Sequence, residues 1–228
     1  MSRDIHLPGR GSSTSIMKRF SHMMGKQLGN PQGLPGRLIG WILTKNNASI
    51  NTWIVQLLDV QPTDHILEIG CGPGLGIQGL SARATQGFVA GIDSSALMVQ
   101  QASKRNATAI KAGRVEIQRG DAAKLPYADA SFDKVVAVHV IYFWSDAVAT
   151  LQELRRVLQL DGVVALGFLI KERAPRLTQQ AFAQTGATLY PAAEDVAALL
   201  AAAGFTRIRV EVQRVSRGAP GCCALGQK

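Results

Sequence analysis

The sequence lacks what a disulfide-stapled, zinc-bound or membrane-spanning protein needs. Only three of its 228 residues are cysteine: Cys71, Cys222 and Cys223. They form no Cys-x-x-Cys pair, and the adjacent Cys222 and Cys223 suit neither a disulfide framework nor a structural metal site. The expectation is a reducing, cytoplasmic setting and no metal. No basic, apolar, small-residue order of a secretory signal opens the chain. The longest apolar run, GVVALGFLI at Gly162–Ile170, is too short to cross a bilayer. Membrane association is therefore expected to be peripheral at most.

Acids are scarce at one end. Residues 1–60 carry seven Lys and Arg against two acids, and residues 61–228 carry eighteen against fourteen, so the net charge of +9 leans on the N-terminal part. A basic stretch attracts nucleic acid or anionic lipid non-specifically and names no specific partner. Function has to be read from a site.

At this length, with 46% hydrophobic residues, the chain suits one α/β core with an extension. Residues 1–15 (MSRDIHLPGRGSSTS) are polar and aperiodic and read as an arm. Residues 16–60 read as a helical extension. In it Ile50, Trp53, Ile54, Leu57 and Leu58 have the spacing of an amphipathic helix, packed on the main domain, serving as a lid over an apolar substrate, or lying on a membrane surface. Residues 61–228 alternate β-rich runs with helical ones. Strands are expected at His65–Gly70, Phe88–Asp93, Arg114–Gln118, Lys134–His139, Val163–Phe168, Arg207–Val215 and Cys222–Gln227. Helices are expected at about Gly74–Thr85, Ser95–Ala107, Ala147–Leu158 and Ala193–Phe205. Such alternation predicts a doubly wound, Rossmann-like parallel sheet with helices on both faces. Polar and apolar residues alternate from Arg207 to Gln213, which places that strand at an edge.

In this architecture ligands lie at the carboxyl ends of the strands. The first expected strand runs into HILEIGCGPGLG, a glycine-rich turn. The second ends in GIDSS with Asp93, the third is followed by GDAAKLP with Asp121, and the fourth runs into HVIYFWSD. Asp93 lies 19 residues beyond Gly74, about where an acid can hold a ribose diol, and Asp121 is placed to accept from an amino group such as that of adenine. A nucleoside ligand fits this acidic half-ring. The stretch GLGIQG (Gly74–Gly79) matches the dinucleotide pattern Gly-x-Gly-x-x-Gly out of frame. Asp93 is then only 14 residues past Gly79, so the match is read as accidental.

The blocks LEIGCGPG, GIDSSALM, GDAAKLPYADASFDKV and ELRRVLQLDGVVAL resemble the successive motifs of class I S-adenosylmethionine-dependent methyltransferases. The likeness covers about residues 60–215. The third block is similar to small-molecule enzymes of the quinone and natural-product type. This resemblance implies a seven-stranded sheet with an antiparallel last strand, and S-adenosylmethionine lying across the strand ends. It implies that Gly70, Cys71 and Gly72 approach the methionine portion over Glu68, which sits under the turn. Asp93 and Ser94 would face the ribose, Met98 the adenine ring, and Asp121 with the Ala122 backbone its edge. The main chain of His139 would pass near the cofactor, and S-adenosylhomocysteine would be the product.

An acceptor signature is missing. After the fourth strand there is no Asn-Pro-Pro-Tyr turn for adenine or amide methylation, no Pro-Cys pair for cytosine and no glutamate pair for arginine. A triad of acids for magnesium is also missing. What stands there is aromatic, so the acceptor is expected to be a small apolar or planar molecule, with His139 or Tyr142 available to take a proton. The extension, Tyr142–Trp144 and Thr185–Pro191 are expected to cover it. Two other readings stand beside this one. They are an NAD(P)-dependent oxidoreductase on a related sheet and a cofactor-binding module without catalysis.

Overall fold

The computed structural model describes residues 32–33, 48–183, 186–213 and 221–228. The expected arm, most of the extension including Trp41 and Ile42, and Thr185 lie outside the described residues.

The short apolar runs become a sheet because their alternate residues face two separate apolar layers. The described strands are β1 (His65–Ile69), β2 (Phe88–Asp93), β3 (Val115–Arg119), β4 (Phe132–Val138), β5 (Leu158–Phe168), β6 (Thr206–Val212) and β7 (Cys222–Gln227). They form one seven-stranded sheet of order β3-β2-β1-β4-β5-β7-β6. Strands β1 to β5 pair in parallel, and β7 runs antiparallel to both β5 and β6. The fold is thus the expected Rossmann-like one with its last strand reversed, and β6 is the edge strand that its polar face predicts.

Helices α1 (48–57), α2 (Leu75–Ser81), α3 (Ala96–Arg105), α4 (Ala107–Lys111), α5 (Ala147–Val157), α6 (Arg176–Ala183) and α7 (Ala193–Ala202) accompany the sheet. On one face Leu67, Ile69, Val135, Ala137 and Leu166 meet Leu151 and Leu154 of α5 and Val196 and Leu200 of α7. On the other, Ile66, Val136, Val138 and Ala165 meet Ile50 and Ile54 of α1 and Ile77 and Leu80 of α2. Side chains fix two of the helix starts. The Asp146 carboxylate accepts from the Ala149 N–H at 2.9 Å, and the Ser95 hydroxyl accepts from the Met98 N–H at 3.4 Å.

Four boundaries differ from the sequence reading. Strand β5 begins at Leu158, directly after α5, and residues 159–162 bulge out of the ladder, which jumps from Phe132–Leu158 to Lys134–Val163. Asp161 takes a positive φ of 62° there. The helix expected through Thr85 stops at Ser81. The helix expected to run through Ala107 is two helices, broken at Asn106, whose side-chain amide donates to the carbonyls of Gly74 and Ala102. Strand β4 ends at Val138, so His139 lies beyond it with φ 58°. Each break serves a contact distant in sequence or a special backbone angle, which periodicity does not encode.

Helix α1 uses its apolar side on the sheet. Ile54 is fully buried, and a Cβ on Gly167 of β5 would stand 2.4 Å from its Cδ1. The described part of the extension therefore covers a sheet face. Ile54→Ala is expected to lower the unfolding free energy by about 2–5 kcal/mol, as for other large-to-small core changes. Urea denaturation checks this, and a loss under about 1 kcal/mol would mean that the helix is not packed as described.

Candidate active site

Strand β1 lies between β2 and β4, so the chain leaves β1 and β4 at the point where the strand order reverses. In open α/β sheets this reversal is where ligands bind. The glycines of the turn after β1 have different reasons to be glycine. A Cβ on Gly70 (φ +62°) would stand 2.1 Å from Val140 Cγ1, on the turn after β4. On Gly74 (φ +80°) it would meet Asn106 Nδ2 at 2.6 Å, and on Gly76 the Glu68 Oε1 at 2.1 Å. These three are occupied by the protein's own packing. Only Gly72 (φ +52°) has nothing within 4 Å, so of these four it alone offers its backbone to open space where a ligand can approach. Gly74 is the N-cap of α2, and Gly76 and Gly79 lie inside the helix, so the out-of-frame glycine pattern forms no phosphate-binding turn.

Beneath this turn Glu68 is buried. It accepts a hydrogen bond from the Ile77 backbone, while its Oε2 has no partner. Burial first, and the nearby Asp93 charge in addition, push its pKa from 4.5 up to about 8. Asp93 closes the turn from the side. Its Oδ2 accepts from the Gly72 N–H at 2.9 Å and its Oδ1 from the Ser95 N–H at 2.8 Å. Burial raises its pKa while these two bonds hold it down. Cys71 donates its N–H to the Ile92 carbonyl. Its thiol is buried, and burial, Glu68 and Asp93 all raise its pKa, so it stays protonated and inert. Ser94 is exposed, with its carbonyl taking the Arg119 guanidinium at 2.9 Å. Met98 is almost wholly buried in the first turn of α3, so contact with an adenine ring requires the side chain or its cover to move.

One loop further, Asp121 is exposed. Its Oδ1 accepts from the Ala123 N–H at 3.0 Å, leaving Oδ2 to an incoming donor, with Ala122 half-buried beside it. This loop is held from behind. The Leu125 N–H donates to Glu153 Oε1, and the Arg156 guanidinium binds Glu153, Asp129 and the Tyr127 carbonyl. Beyond β4, His139 lies half-buried with Nδ1 3.2 Å from the Tyr142 hydroxyl. Tyr142 is buried, with its ring 5.2 Å from that of Phe182 on α6, and its carbonyl takes the Thr188 N–H. The turn after β4 and the segment before α7 therefore meet. Trp144 is only half-buried beside them.

Two residues that fix the turn escape a sequence reading. The Asn106 amide and the Arg105 guanidinium donate to the Gly74 and Pro73 carbonyls, at 3.0 and 2.8 Å, from more than thirty residues away. A buried-type Asn interrupting a helical run is the one local hint.

The Methyltransferase domain family matches residues 67–166, the interval from β1 to β5 that carries every one of these groups except α6 and its neighbours. Over these residues the chain is similar to methyltransferases. It is 29% identical over 129 residues to the uncharacterized methyltransferase YdaC of Bacillus subtilis, covering 57% of this chain and 69% of that one. To the 27-O-demethylrifamycin SV methyltransferase of Amycolatopsis mediterranei it is 34% identical over 122 residues, 54% of this chain and 44% of that one. It thus spans about two thirds of the first relative and less than half of the second. The crystal structure of a SAM-dependent methyltransferase from Aquifex aeolicus shares the fold, with a TM-score of 0.61 at 19% identity over 93% of this chain and 97% of that one.

Two outcomes test the geometry. Gly76→Ala drives a methyl into Glu68 and is expected to cost about 1–3 kcal/mol of stability. Gly72→Ala is expected to cost about 1–2 kcal/mol of backbone strain yet weaken S-adenosylhomocysteine. Urea unfolding and ligand titration separate the two, and unaltered affinity in Gly72→Ala would remove that residue from the ligand's path. The second outcome concerns pH. Glu68 binds its proton more tightly when folded, so its stabilising share is full below 4.5 and is lost as pH rises to about 8. Glu68→Gln is expected to gain on the parent chain by up to about 1.4 kcal/mol per pH unit across that window, read by urea unfolding at several pH values.

Proposed function

We propose that this methyltransferase uses S-adenosylmethionine to methylate a small acceptor with an apolar or planar body. The observation that carries the reading is the convergence, at the strand ends, of one open glycine backbone, a free carboxylate oxygen and a buried aromatic group. Gly72, Asp121 and Tyr142 supply them. When bound, S-adenosylmethionine supplies a methyl group on a sulfonium, which is already electrophilic. The residues then bind, align and exclude water. Asp93 and Asp121 place carboxylates around a cationic ligand, while Glu68 stands buried beneath the turn and keeps its proton near neutral pH. Asp93, whose oxygens already accept from Gly72 and Ser95, would hold the ribose, and Asp121 would hold the adenine amino group.

The acceptor side is aromatic. Tyr142, Phe143 and Phe182 form one edge-and-tilt cluster with centroids 5.2–6.1 Å apart. Partly buried Leu189 and Tyr190 pack on the same layer. A planar or apolar molecule stacks on such a wall, and O-methyltransferase names among the relatives, as in that of Pyrenophora dematioidea, favour an oxygen acceptor. Among the described residues no helix is long and apolar enough to cross a membrane.

S-adenosylhomocysteine is expected to raise the melting temperature, because a ligand that binds only the folded chain stabilises it by mass action. Asp121→Ala is expected to weaken it about two- to tenfold, the worth of one hydrogen bond. Thermal shift and calorimetric titration measure both. Stabilisation by NADH with none by S-adenosylhomocysteine would overturn the reading.

A further inference from the structure

The acid–base pair expected after β4 is wired in one direction. The Leu169 backbone N–H, just past β5, donates to the Tyr142 hydroxyl oxygen. An amide can only donate, so that oxygen accepts, and the hydroxyl keeps a proton of its own to place. Tyr142 is buried, and among the described residues its one side-chain partner for that proton is Nδ1 of His139, 3.2 Å away. If Nδ1 carried a proton instead, two donors would point at the tyrosine oxygen and the buried hydroxyl proton would find no acceptor among the described residues. A neutral imidazole has one donor and one acceptor. With Nδ1 accepting, Nε2 carries the hydrogen. Burial alone pushes the ring down to about 4, with no charged group contributing, so it is neutral near pH 7. No described residue bonds Nε2, and His139 as a residue is only half-buried.

We propose that His139 serves as a hydrogen-bond donor through Nε2–H and not as a base, and that Tyr142 is the positioning residue that selects this tautomer. Tyr142 is itself clamped by four elements. They are the turn after β4 that carries it, Leu169 after β5, Thr188 donating to its carbonyl at 2.8 Å, and Phe182 of α6 against its ring. The backbone of His139 is fixed as well. Its N–H donates to the Gly167 carbonyl at 2.8 Å, and its neighbour Val140 abuts Gly70 of the glycine turn. The donor therefore stands beside the cofactor turn, at the aromatic wall. A fixed donor there selects an acceptor that presents an oxygen lone pair, and it favours one that arrives as a phenolate, whose charge it stabilises. Such an acceptor has no proton for the protein to remove. The tautomer stands on the geometry alone; its use on an acceptor rests on the methyltransferase reading.

The test is histidine-selective nitrogen-15 labelling of the full chain with long-range proton–nitrogen correlation, His139→Gln assigning the signal. The expected result is a single Nε2–H tautomer for His139 that stays neutral from pH 8 to about pH 5, with Tyr142→Phe giving a tautomer mixture while circular dichroism is unchanged. An Nδ1–H tautomer, or titration at the ordinary histidine value, in the unmutated chain would overturn the proposal without any variant. 4-Nitrophenol at pH 8, where it is a phenolate, serves as the acceptor probe in the presence of S-adenosylhomocysteine. It is expected to move the Nε2 signal and to bind about tenfold more weakly to His139→Leu. Absence of phenolate binding to the unmutated chain would overturn the acceptor class. Failure of S-adenosylhomocysteine itself to bind would instead overturn the methyltransferase reading, leaving the tautomer measurement standing.

Discussion

One carboxylate holds the site in register. Asp93 ends β2 and uses one oxygen on the Gly72 N–H and the other on the Ser95 N–H, so the turn after β1 and the start of α3 hang on the same side chain. The Ser95 hydroxyl then caps α3 through Met98, and α3 ends at Asn106, whose amide returns to the Gly74 carbonyl. The circuit from Asp93 through α3 to Gly74 closes without a ligand. A charge with two backbone donors tolerates burial that an unpaired one would not. That explains how an acidic group comes to stand rigidly beside a binding turn.

Glu68 is the opposite case. It is buried with a partnerless oxygen, and Gly76 has lost its side chain to make room for it. Burying a polar atom without a partner is costly and is found where a ligand or a proton completes the arrangement. Near neutral pH Glu68 keeps its proton and is uncharged, so the acid beside the turn is Asp93. The raised pKa of Glu68 is the price of that placement in the ligand-free chain.

The acceptor side is assembled by different means. Few polar bonds hold it. The segment after β5 folds back through Phe182 on Tyr142 and Phe143, through Thr188 on the Tyr142 carbonyl, and through the Lys171 N–H on the Tyr190 carbonyl. Aromatic packing there replaces the hydrogen-bonded network of the glycine turn. The family match itself stops at residue 166, just before this segment begins.

The sequence by itself determined the strand order's raw material and the chemical types. Alternation of apolar residues is local, so the seven strands, the edge position of β6 and the acids that end β2 and follow β3 were all legible in it. The motif blocks likewise announced the family, because a strand that runs into a glycine turn is encoded by neighbours. Which atoms each of these residues meets was visible only in the folded chain. HILEIGCGPGLG looks like four equivalent glycines, yet Val140, Asn106 and Glu68 claim three of them from other elements, leaving Gly72 to face outward. His139 and Tyr142 looked like candidate bases. Their protons are set by the Leu169 amide, 27 residues beyond Tyr142, a donor contributed by backbone that no side-chain pattern records. The apolar helix at 48–57 looked equally fit for a lid or a sheet cover. Gly167 on β5, by making room for Ile54, settled that it covers the sheet.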